Sequence, residues 1–317
     1  MADGAPEDEE GGLIMGSTAI NWTARRRIVP GPQTCAHDAT GEDRCLDTTC
    51  PRCWEPGYTC NPWDGCVEKT EACAHCYAKV TAENRHGLDV WGKNKPRKIR
   101  VNEAVRELRT IDRRAARTGQ RIGVFSLSMG DIFEDHPMLG APRATYLAAA
   151  EKAEHVDLML LTKRPENIAA MAPAGWMEKW PKHVWMGATI ASPGEERFAD
   201  YLAPLRERGA ITFASVEPMI GDGPAPGAWL RHLSLVIPGG ESGGGSRSFN
   251  VDAAHRLVDV ATAAGVKVWF KQMGSRWASE TGRGLLRKGA SHGQDPYRWP
   301  EWARRRELPV TEEAPRG

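Results

Sequence analysis

The alternation of apolar runs with amphipathic segments between residues 121 and 274 constrains the fold of this chain more than any other feature. Six short apolar runs alternate with stretches of helical periodicity, and a further helix is predicted over residues 100–118. The predicted strands lie within residues 121–131, 156–166, 183–190, 210–219, 233–243 and 266–274. Such alternation requires parallel strands joined by right-handed crossovers. It predicts an α/β fold: a TIM-like β/α barrel, complete or partial, or an open doubly wound sheet.

Polar residues follow every one of these apolar runs. They are Ser128, Asp131, Thr162, Lys163, Arg164, Glu166, Thr189, Ser215, Glu217, Glu241, Ser242, Lys271 and Gln272. In parallel α/β folds, ligands bind at the carboxyl ends of the strands. The pattern therefore predicts one site assembled from many loops. The simpler alternative is that strand ends are polar because they meet solvent.

All 8 cysteines of the chain lie between Cys35 and Cys76, which favours ligation over their use as scattered apolar residues. Cys66, Cys73 and Cys76 have the spacing C-x6-C-x2-C. Three thiolates are too few for a four-cysteine zinc site. They suit a [4Fe–4S] cluster with one iron left open, where S-adenosylmethionine can bind and be cleaved reductively. A zinc site completed by Cys60 is the alternative, because thiolates bind both metals.

The remaining cysteines form a second group upstream. Cys35, Cys45, Cys50 and Cys53 predict a second metal site, and Cys60 is left over. A structural zinc would stabilise a loop that has little core of its own. An auxiliary iron–sulfur cluster is the alternative.

The motif "NPWDGCVEKTEACAHCYA" resembles the opening motif of a phage-associated radical-SAM-like protein family. Further resemblances follow in a consistent order over roughly residues 60–275: "FSLSMGDIFED", "LTKRPE", "WMGATI", "SVEPMIG", "VIPGGESGGGSR" and "WFKQMG". That family is similar to spore photoproduct lyase-type radical-SAM enzymes. The resemblance implies a partial β/α barrel of radical-SAM type with a Cys-rich N-terminal insertion, and a [4Fe–4S] cluster on Cys66, Cys73 and Cys76.

Candidate roles for the other polar residues combine this resemblance with side-chain chemistry. The resemblance assigns Glu241 and Ser242 to S-adenosylmethionine. Gly239 and Gly240 allow close approach of backbone N–H groups to a ligand. Further cofactor-binding candidates are Tyr77, Ser128 and Asp131, and the catalytic candidates are Lys163, Glu217 and Lys271. The alternative for Lys163 and Arg164 is an ion pair with Glu166 or Glu217.

The segments outside the predicted barrel differ from it in composition. Residues 1–16 predict a disordered acidic tail, residues 17–59 the Cys-rich insertion, residues 60–275 the barrel, and residues 276–317 a basic and aromatic extension. Trp277, Trp299 and Trp302 stand among arginines there, a composition that can bind nucleic acid by phosphate contacts and base stacking. A solvated helix and packing of the segment over the barrel are the alternatives.

Overall composition is ordinary, with 41% hydrophobic residues and a net charge of +1, so neither membrane nor nucleic acid is favoured globally. The sequence has no apolar run long enough to span a membrane and no signal peptide, which predicts a cytoplasmic protein, in the host cell if phage-encoded.

The resemblance implies a radical-SAM enzyme of isomerase or lyase type, acting on a nucleobase. Hypermodification of thymine in phage DNA is the concrete candidate. The expected partners are DNA or a modified nucleotide and an electron donor such as flavodoxin. A non-catalytic zinc-dependent nucleic-acid-binding protein is the alternative from another class, and a degenerate barrel acting as a phage structural or scaffold protein is the third.

Overall fold

The computed structural model describes residues 21–27, 45–46, 48, 53–282 and 293–309. The predicted acidic tail, Cys35 and Cys50 lie outside these residues. The strands are, in chain order, β1 (Arg25–Arg26), β2 (Trp54–Glu55), β3 (Tyr58–Cys60), β4 (Trp63–Asp64), β5 (Lys98–Ile99), β6 (Ile122–Ser126), β7 (Val156–Thr162), β8 (Val184–Thr189), β9 (Thr212–Val216), β10 (Leu235–Pro238) and β11 (Lys267–Val268).

The helices are α1 (Tyr77–Val80), α2 (Val101–Thr118), α3 (Gly140–Glu151), α4 (Ile168–Met171), α5 (Ala203–Glu207), α6 (Val251–Ala263) and α7 (Ser275–Thr281). α2 matches the predicted helix because its apolar residues recur every three or four positions and are buried on one side. It ends at Gly119, whose φ of 64° is the left-handed conformation that glycine adopts readily. The helix predicted after β8 differs: it begins as the 3₁₀ turn Glu195–Tyr201 before α5.

Seven of the strands form one parallel sheet in the spatial order β3-β6-β7-β8-β9-β10-β11, which is also their order in the chain. The mixed α/β class and the six predicted strands are thus present, and β3 precedes them. A doubly wound sheet reverses its strand order at a switch point. This sheet has no such reversal, so the doubly wound alternative does not describe it.

The two faces of the sheet are covered differently. Alternate strand residues such as Val124, Leu158 and Val236 pack with residues of α2, α3 and α6 in one large apolar core. The intervening strand residues form a second apolar cluster on the opposite face, together with N-terminal residues: Trp22, Ala24, Cys45, Cys53, Trp54, Phe125, Met159, Trp185, Phe213, Leu235, Ile237 and Trp269. The three longest helices therefore lie on a single face, and the other face is partly covered by the chain preceding β3.

The two edges of the sheet come close to each other. Trp54, which precedes edge strand β3, stacks edge-on against Trp269, which follows edge strand β11, with ring centroids 5.5 Å apart. Residues 21–27 contact both of these regions: Asn21 Nδ2 donates to the Lys271 carbonyl oxygen (3.1 Å), and Arg26 on β1 pairs with Trp54 on β2. Within the described residues, β3 and β11 do not pair with each other.

The C-terminal segment packs along the edge formed by β11, as one of the sequence alternatives holds. The Phe270 amide donates to the Arg305 carbonyl and the Glu307 amide to the Val268 carbonyl, each at 3.0 Å. These bonds cover backbone groups that an exposed edge strand would present. Nowhere in the described part of the chain is a helix both long and apolar enough to cross a membrane.

Candidate functional site

A cavity of about 430 Å³ lies where the parallel strands end. Its wall includes residues at or after the carboxyl ends of six successive strands: Ser128, Asp131, Thr162, Lys163, Thr189, Ser215, Glu217, Glu241, Ser242, Lys271 and Gln272. Cys66, Cys73, Cys76 and Tyr77, from the chain after β4, form another part of the wall. The structure thus brings most of the predicted site residues together, because the carboxyl ends of parallel strands share one edge of a sheet.

The cysteine loop (residues 65–76) is held against two different strand ends. After β7, Arg164 Nη2 donates to the Val67 carbonyl (2.6 Å), and Lys69 pairs with Glu166 (2.8 Å). After β10, Arg247 pairs with Glu71 (3.2 Å). These contacts fix both halves of the loop, and so they determine where its thiols lie on the cavity wall.

The three thiols of this loop are a donor set of the kind that holds an iron–sulfur cluster. Within the described ranges, no group of three or more His, Cys, Asp or Glu side chains has an arrangement that could hold a single metal ion. A cluster differs from a single ion because its cysteines ligate separate irons. The Lys69 amide lies 3.4 Å from Cys73 Sγ, and Arg164 Nη1 lies 3.8 Å from Cys66 Sγ. Iron–sulfur clusters are held by cysteine thiolates whose sulfurs accept hydrogen bonds. Cys66, Cys73 and Cys76 therefore fit such a cluster by their chemistry.

Burial affects the protonation of one of these thiols. It raises the pKa of the Cys66 thiol to about 12, with a further increase from Asp131 and Glu134 and an opposing effect of Arg164 and Lys163. The thiol is therefore protonated at neutral pH. Binding of a metal to Cys66 would release that proton.

Asp131 has its acceptor sites filled by the chain itself. Its Oδ1 accepts from the Thr162 hydroxyl (2.6 Å) and the Phe133 amide (3.0 Å), and its Oδ2 accepts from the Lys163 amide (2.9 Å) and Arg164 Nη1 (3.0 Å). A carboxylate offers about four acceptor sites. Asp131 therefore positions Arg164, and through it the cysteine loop. The alternative considered for Arg164, an ion pair with Glu166 or Glu217, is wrong in its partner, because Arg164 pairs with Asp131.

Glu217 forms a network with the end of β11. Lys271 Nζ donates to its Oε2 (2.6 Å) and Gln272 Nε2 to its Oε1 (3.0 Å). Gln294 Nε2 in turn donates to Gln272 Oε1 (3.2 Å). Glu217 and Lys271, two of the three residues predicted to be catalytic, are thus paired with each other on the cavity wall. An ammonium and a carboxylate placed in this way can exchange a proton with a bound molecule.

Glu241 is buried and accepts hydrogen bonds from two residues. Arg247 donates from its amide (2.7 Å), Nε (3.1 Å) and Nη2 (2.7 Å), and His75 Nδ1 lies 3.1 Å away. Desolvation acts to raise the pKa of Glu241, but the hydrogen bonds from Arg247 and His75 outweigh it and leave the pKa lowered. Glu241 therefore joins the cysteine loop to the segment after β10.

The two predicted glycines do not line the cavity. A Cβ on Gly240 would lie 2.3 Å from the Met273 carbonyl oxygen, and one on Gly239 would lie 3.2 Å from Glu217 Cγ. Their missing side chains thus permit close packing of this backbone against its neighbours. Ser242 does line the cavity. The Tyr77 side chain is 56% exposed, and its hydroxyl donates to the Ser128 carbonyl (3.1 Å).

Sequence reasoning missed several residues of the wall. His75 stands between Cys73 and Cys76 in "CAHC", and that position was the available signal. Trp22 and Gln294 come from segments distant in sequence, and nothing local indicated them. Trp22 packs edge-on against Phe125 with ring centroids 5.1 Å apart, which makes part of the cavity aromatic.

Three further cysteines of the described residues, Cys45, Cys53 and Cys60, are not part of the cavity wall. Cys45 and Cys53, two of the four predicted ligands of a second metal, are buried beside Trp54 on the sheet face opposite the helices. Cys60 is fully buried in the core on the helix-covered face, and burial raises its thiol pKa far above the ordinary range. Cys60 does not complete a zinc site with the cysteine loop, because it does not line the cavity.

Two tryptophans of the C-terminal extension, Trp299 and Trp302, pack against other residues of the protein. Trp299 is 2% exposed, and its Nε1 donates to the Gly293 carbonyl (2.8 Å). Trp302 lies against Phe270, with ring centroids 5.4 Å apart, and stacks on His255 at 4.5 Å. Because Trp299 is buried, its ring cannot stack on a nucleic-acid base. Its contact with Phe270 instead anchors the C-terminal segment to the rest of the protein.

Comparison with protein-family models identifies a family that covers most of the chain. The model of a family described as "Protein of unknown function (DUF5131)" matches residues 54–303, which include the cysteine loop and every strand of the parallel sheet. No curated protein and no solved structure matches the chain.

Proposed function

We infer that this chain, which belongs to the DUF5131 family, is a radical-SAM enzyme whose cavity holds a [4Fe–4S] cluster and S-adenosylmethionine. The observation that carries this proposal is the placement of Cys66, Cys73 and Cys76 on one wall of a cavity at the carboxyl ends of parallel strands. A solvent-facing strand end explains a single polar residue there. It does not explain three thiols and the ends of six strands around one cavity.

A partial β/α barrel of radical-SAM type is part of the same proposal. It is supported by the sequential strand order, by the location of the three longest helices on one face, and by the contact of Trp54 with Trp269 across the two sheet edges. A flat seven-stranded sheet would hold those edges far apart, since neighbouring strands are about 4.8 Å apart.

The residues of the cavity have distinct roles in this proposal. When bound, a three-thiolate cluster and S-adenosylmethionine supply a 5′-deoxyadenosyl radical. Cys66, Cys73 and Cys76 would ligate the cluster, and Arg164 and the Lys69 amide would donate hydrogen bonds to their sulfurs. Trp22 and Phe125 offer an apolar surface for a purine or pyrimidine ring. Glu217 and Lys271 would hold or move a proton beside the bound substrate.

A modified nucleobase is the proposed substrate, with an amino-acid-bearing thymine of phage DNA as the concrete candidate and an isomerisation or a related rearrangement as the reaction. Support for this choice comes from the resemblance of the motifs, together with the aromatic part of the cavity. DNA and an electron donor such as flavodoxin are the proposed partners. A zinc ion or an auxiliary cluster on Cys35, Cys45, Cys50 and Cys53 is a separate proposal, and metal analysis of a Cys45→Ala variant tests it.

Anaerobic reconstitution with iron and sulfide tests the proposed function. The wild-type protein should bind about four irons in the cavity, as the cluster formula requires, and release 5′-deoxyadenosine from S-adenosylmethionine under reduction. Cys73→Ala should lose that iron and that product. Cys60→Ala is the matched control, because it removes a buried thiol that does not line the cavity.

Two results would contradict the proposal. A wild-type protein that stays free of iron after repeated reconstitution would exclude the cluster, and zinc bound by the same three cysteines would favour the nucleic-acid-binding alternative. A Cys73→Ala protein that still releases 5′-deoxyadenosine would exclude the ligand assignment.

A further inference from the structure

One stretch of the chain is far more basic than the rest. Residues 93–121, which include β5 and α2, contain eleven Lys and Arg and three Asp and Glu, a net charge of +8. The whole chain has a net charge of +1, so the other residues together carry −7. A charge distributed this unevenly produces a strong local potential even when the total is close to zero.

Four arginines form a row on the outer face of α2. They are exposed and follow each other at intervals of three or four residues: Arg106, Arg109, Arg113 and Arg117. With 3.6 residues per turn they lie within an arc of about 80°, and the row rises about 16 Å along the helix axis. Four of the five buried residues of α2 lie on the opposite side of the helix: Ala104, Leu108, Ile111 and Ala115. The arginine row therefore points away from the core.

The protein does not neutralise the arginine row. Within the described residues none of the four guanidinium groups forms an ion pair, and Arg113 donates a hydrogen bond to the Thr110 hydroxyl (3.3 Å). The acidic residues of the helix, Glu103, Glu107 and Asp112, all lie outside the arc of the row. Like charges three or four positions apart repel each other on a helix. An anionic partner would remove this repulsion.

The chemistry of this face favours a nucleic-acid duplex among anionic partners. Apart from arginine, the arc contains Asn102, and no apolar side chain of α2 lies within it. Protein interfaces have an apolar core, and membrane-bound helices insert an apolar face. Single strands are held on aromatic side chains, of which α2 has none. A duplex needs only positive charges, and it carries about ten phosphates over the length of the row.

The arginine row begins near the cavity. The Arg100 amide, directly before α2, donates to the Pro62 carbonyl (2.8 Å), and Lys98 on β5 pairs with Asp64 on β4. Two residues after β4, the chain reaches Cys66 on the cavity wall. The row starts about 8 Å along the axis from the first residue of α2. A polyanion bound to the row is therefore held within reach of the cavity.

We propose that the arginine row of α2 is a docking surface for the phosphate backbone of double-stranded DNA. The planar fork of arginine suits bidentate contact with phosphate. Such contacts position a protein on a duplex without reading its sequence. This inference rests on the proposed function for the choice of DNA over duplex RNA. The charge pattern that carries it does not depend on the iron–sulfur cluster.

Fluorescence anisotropy of the iron-reconstituted protein with a labelled DNA duplex tests the docking surface. The duplex has about 20 base pairs of mixed sequence, and KCl is varied between about 50 and 200 mM. The logarithm of the binding constant falls with the logarithm of the salt concentration, with a slope of about −0.9 per phosphate contact. Arg109→Gln/Arg113→Gln should make this slope less steep by about 1.8 and lower the affinity about tenfold or more at 0.1 M salt.

A second double variant is the matched control. Arg206→Gln/Arg231→Gln also removes two exposed positive charges, but from outside residues 93–121. Its affinity and salt slope should equal those of the wild type. Both double variants should keep the wild-type melting temperature, iron content and release of 5′-deoxyadenosine in the absence of DNA, because none of the four arginines lines the cavity.

Several outcomes would overturn the docking surface. They are a duplex affinity of Arg109→Gln/Arg113→Gln within twofold of the wild type, an equal loss in the control variant, and no duplex binding by the wild type in the lowest salt. Tighter binding of poly-L-glutamate than of the duplex through the same two arginines would assign the row to an acidic protein instead. If the wild type takes up no iron, the proposed function fails, and the same titration of the metal-free full chain still decides whether the row binds DNA.

Discussion

The replacement Asp131→Asn tests the assignment of Asp131 as the residue that positions the cysteine loop. The side chains of Asp131 and Arg164 are 6% and 8% exposed, so their ion pair is buried. Each carboxylate oxygen accepts from two donors. An asparagine side chain in either orientation would turn its NH₂ group toward two donors, one of which is a backbone amide that cannot rotate away.

The expected cost is large. Removing one partner of a buried ion pair destabilises a protein by about 3–5 kcal/mol, because the other charge stays buried without compensation. A typical total stability is about 5–15 kcal/mol, so Asp131→Asn should remove a substantial part of it. The variant should also hold less iron after reconstitution, because Arg164 then loses the contact that aims it at the Val67 carbonyl and Cys66 Sγ.

Urea denaturation followed by tryptophan fluorescence measures the free energy of unfolding. The control is Asp89→Asn, the same chemical change in an ion pair with Lys95 whose aspartate side chain is 75% exposed. Exposed pairs contribute about 0–1 kcal/mol, so this variant should unfold close to the wild type. If Asp131→Asn unfolds at the same urea concentration as Asp89→Asn and retains full iron, the positioning role is refuted.

Three further predictions concern Glu241, Thr189 and Trp299. Glu241→Gln should be less stable than the wild type at neutral pH. The pKa of Glu241 in the folded protein lies below its ordinary value of 4.5. The difference in free energy of unfolding between the two proteins should therefore persist above pH 4.5 and shrink as the pH falls below it. A constant difference across an acid titration would contradict this. Thr189→Val should raise the stability of the ligand-free protein by about 1–3 kcal/mol by removing an unpaired buried hydroxyl; a lower melting temperature in calorimetry would show that the hydroxyl is satisfied. Trp299→Ala should cost about 3–5 kcal/mol in urea denaturation, since it opens a cavity beside Phe270, and unchanged stability would mean that the segment is not anchored there.

Prediction from sequence succeeded where the signal is local. The apolar runs of the six predicted strands and the periodicity of residues 100–118 depend on a few neighbouring positions, and the structure has these elements. The strand order could not be predicted in this way, because a barrel and a doubly wound sheet share the same alternation along the chain. The grouping of polar strand ends into one cavity followed from a general property of parallel sheets.

The partners of the charged residues required the tertiary structure. Three charged residues lie close together in the sequence: Lys163, Arg164 and Glu166. In the structure, Arg164 pairs with Asp131 and Glu166 pairs with Lys69, whereas Lys163 lines the cavity. Glu217 finds Lys271, 54 residues away. Ion pairs between strand ends depend on register and on the paths of the connecting loops, and neither is encoded in local periodicity.

The sequence by itself determined the elements of this protein and the chemical groups at the ends of its strands, since backbone periodicity and side-chain identity are local properties. Only the tertiary structure decided which of those groups are neutralised by each other and which are left for a ligand. The physical reason is that burial and pairing are set by residues far apart in the chain. Lys163 and Thr189, whose ammonium and hydroxyl have no partner among the described residues, become neighbours only after β7 and β8 have been brought side by side.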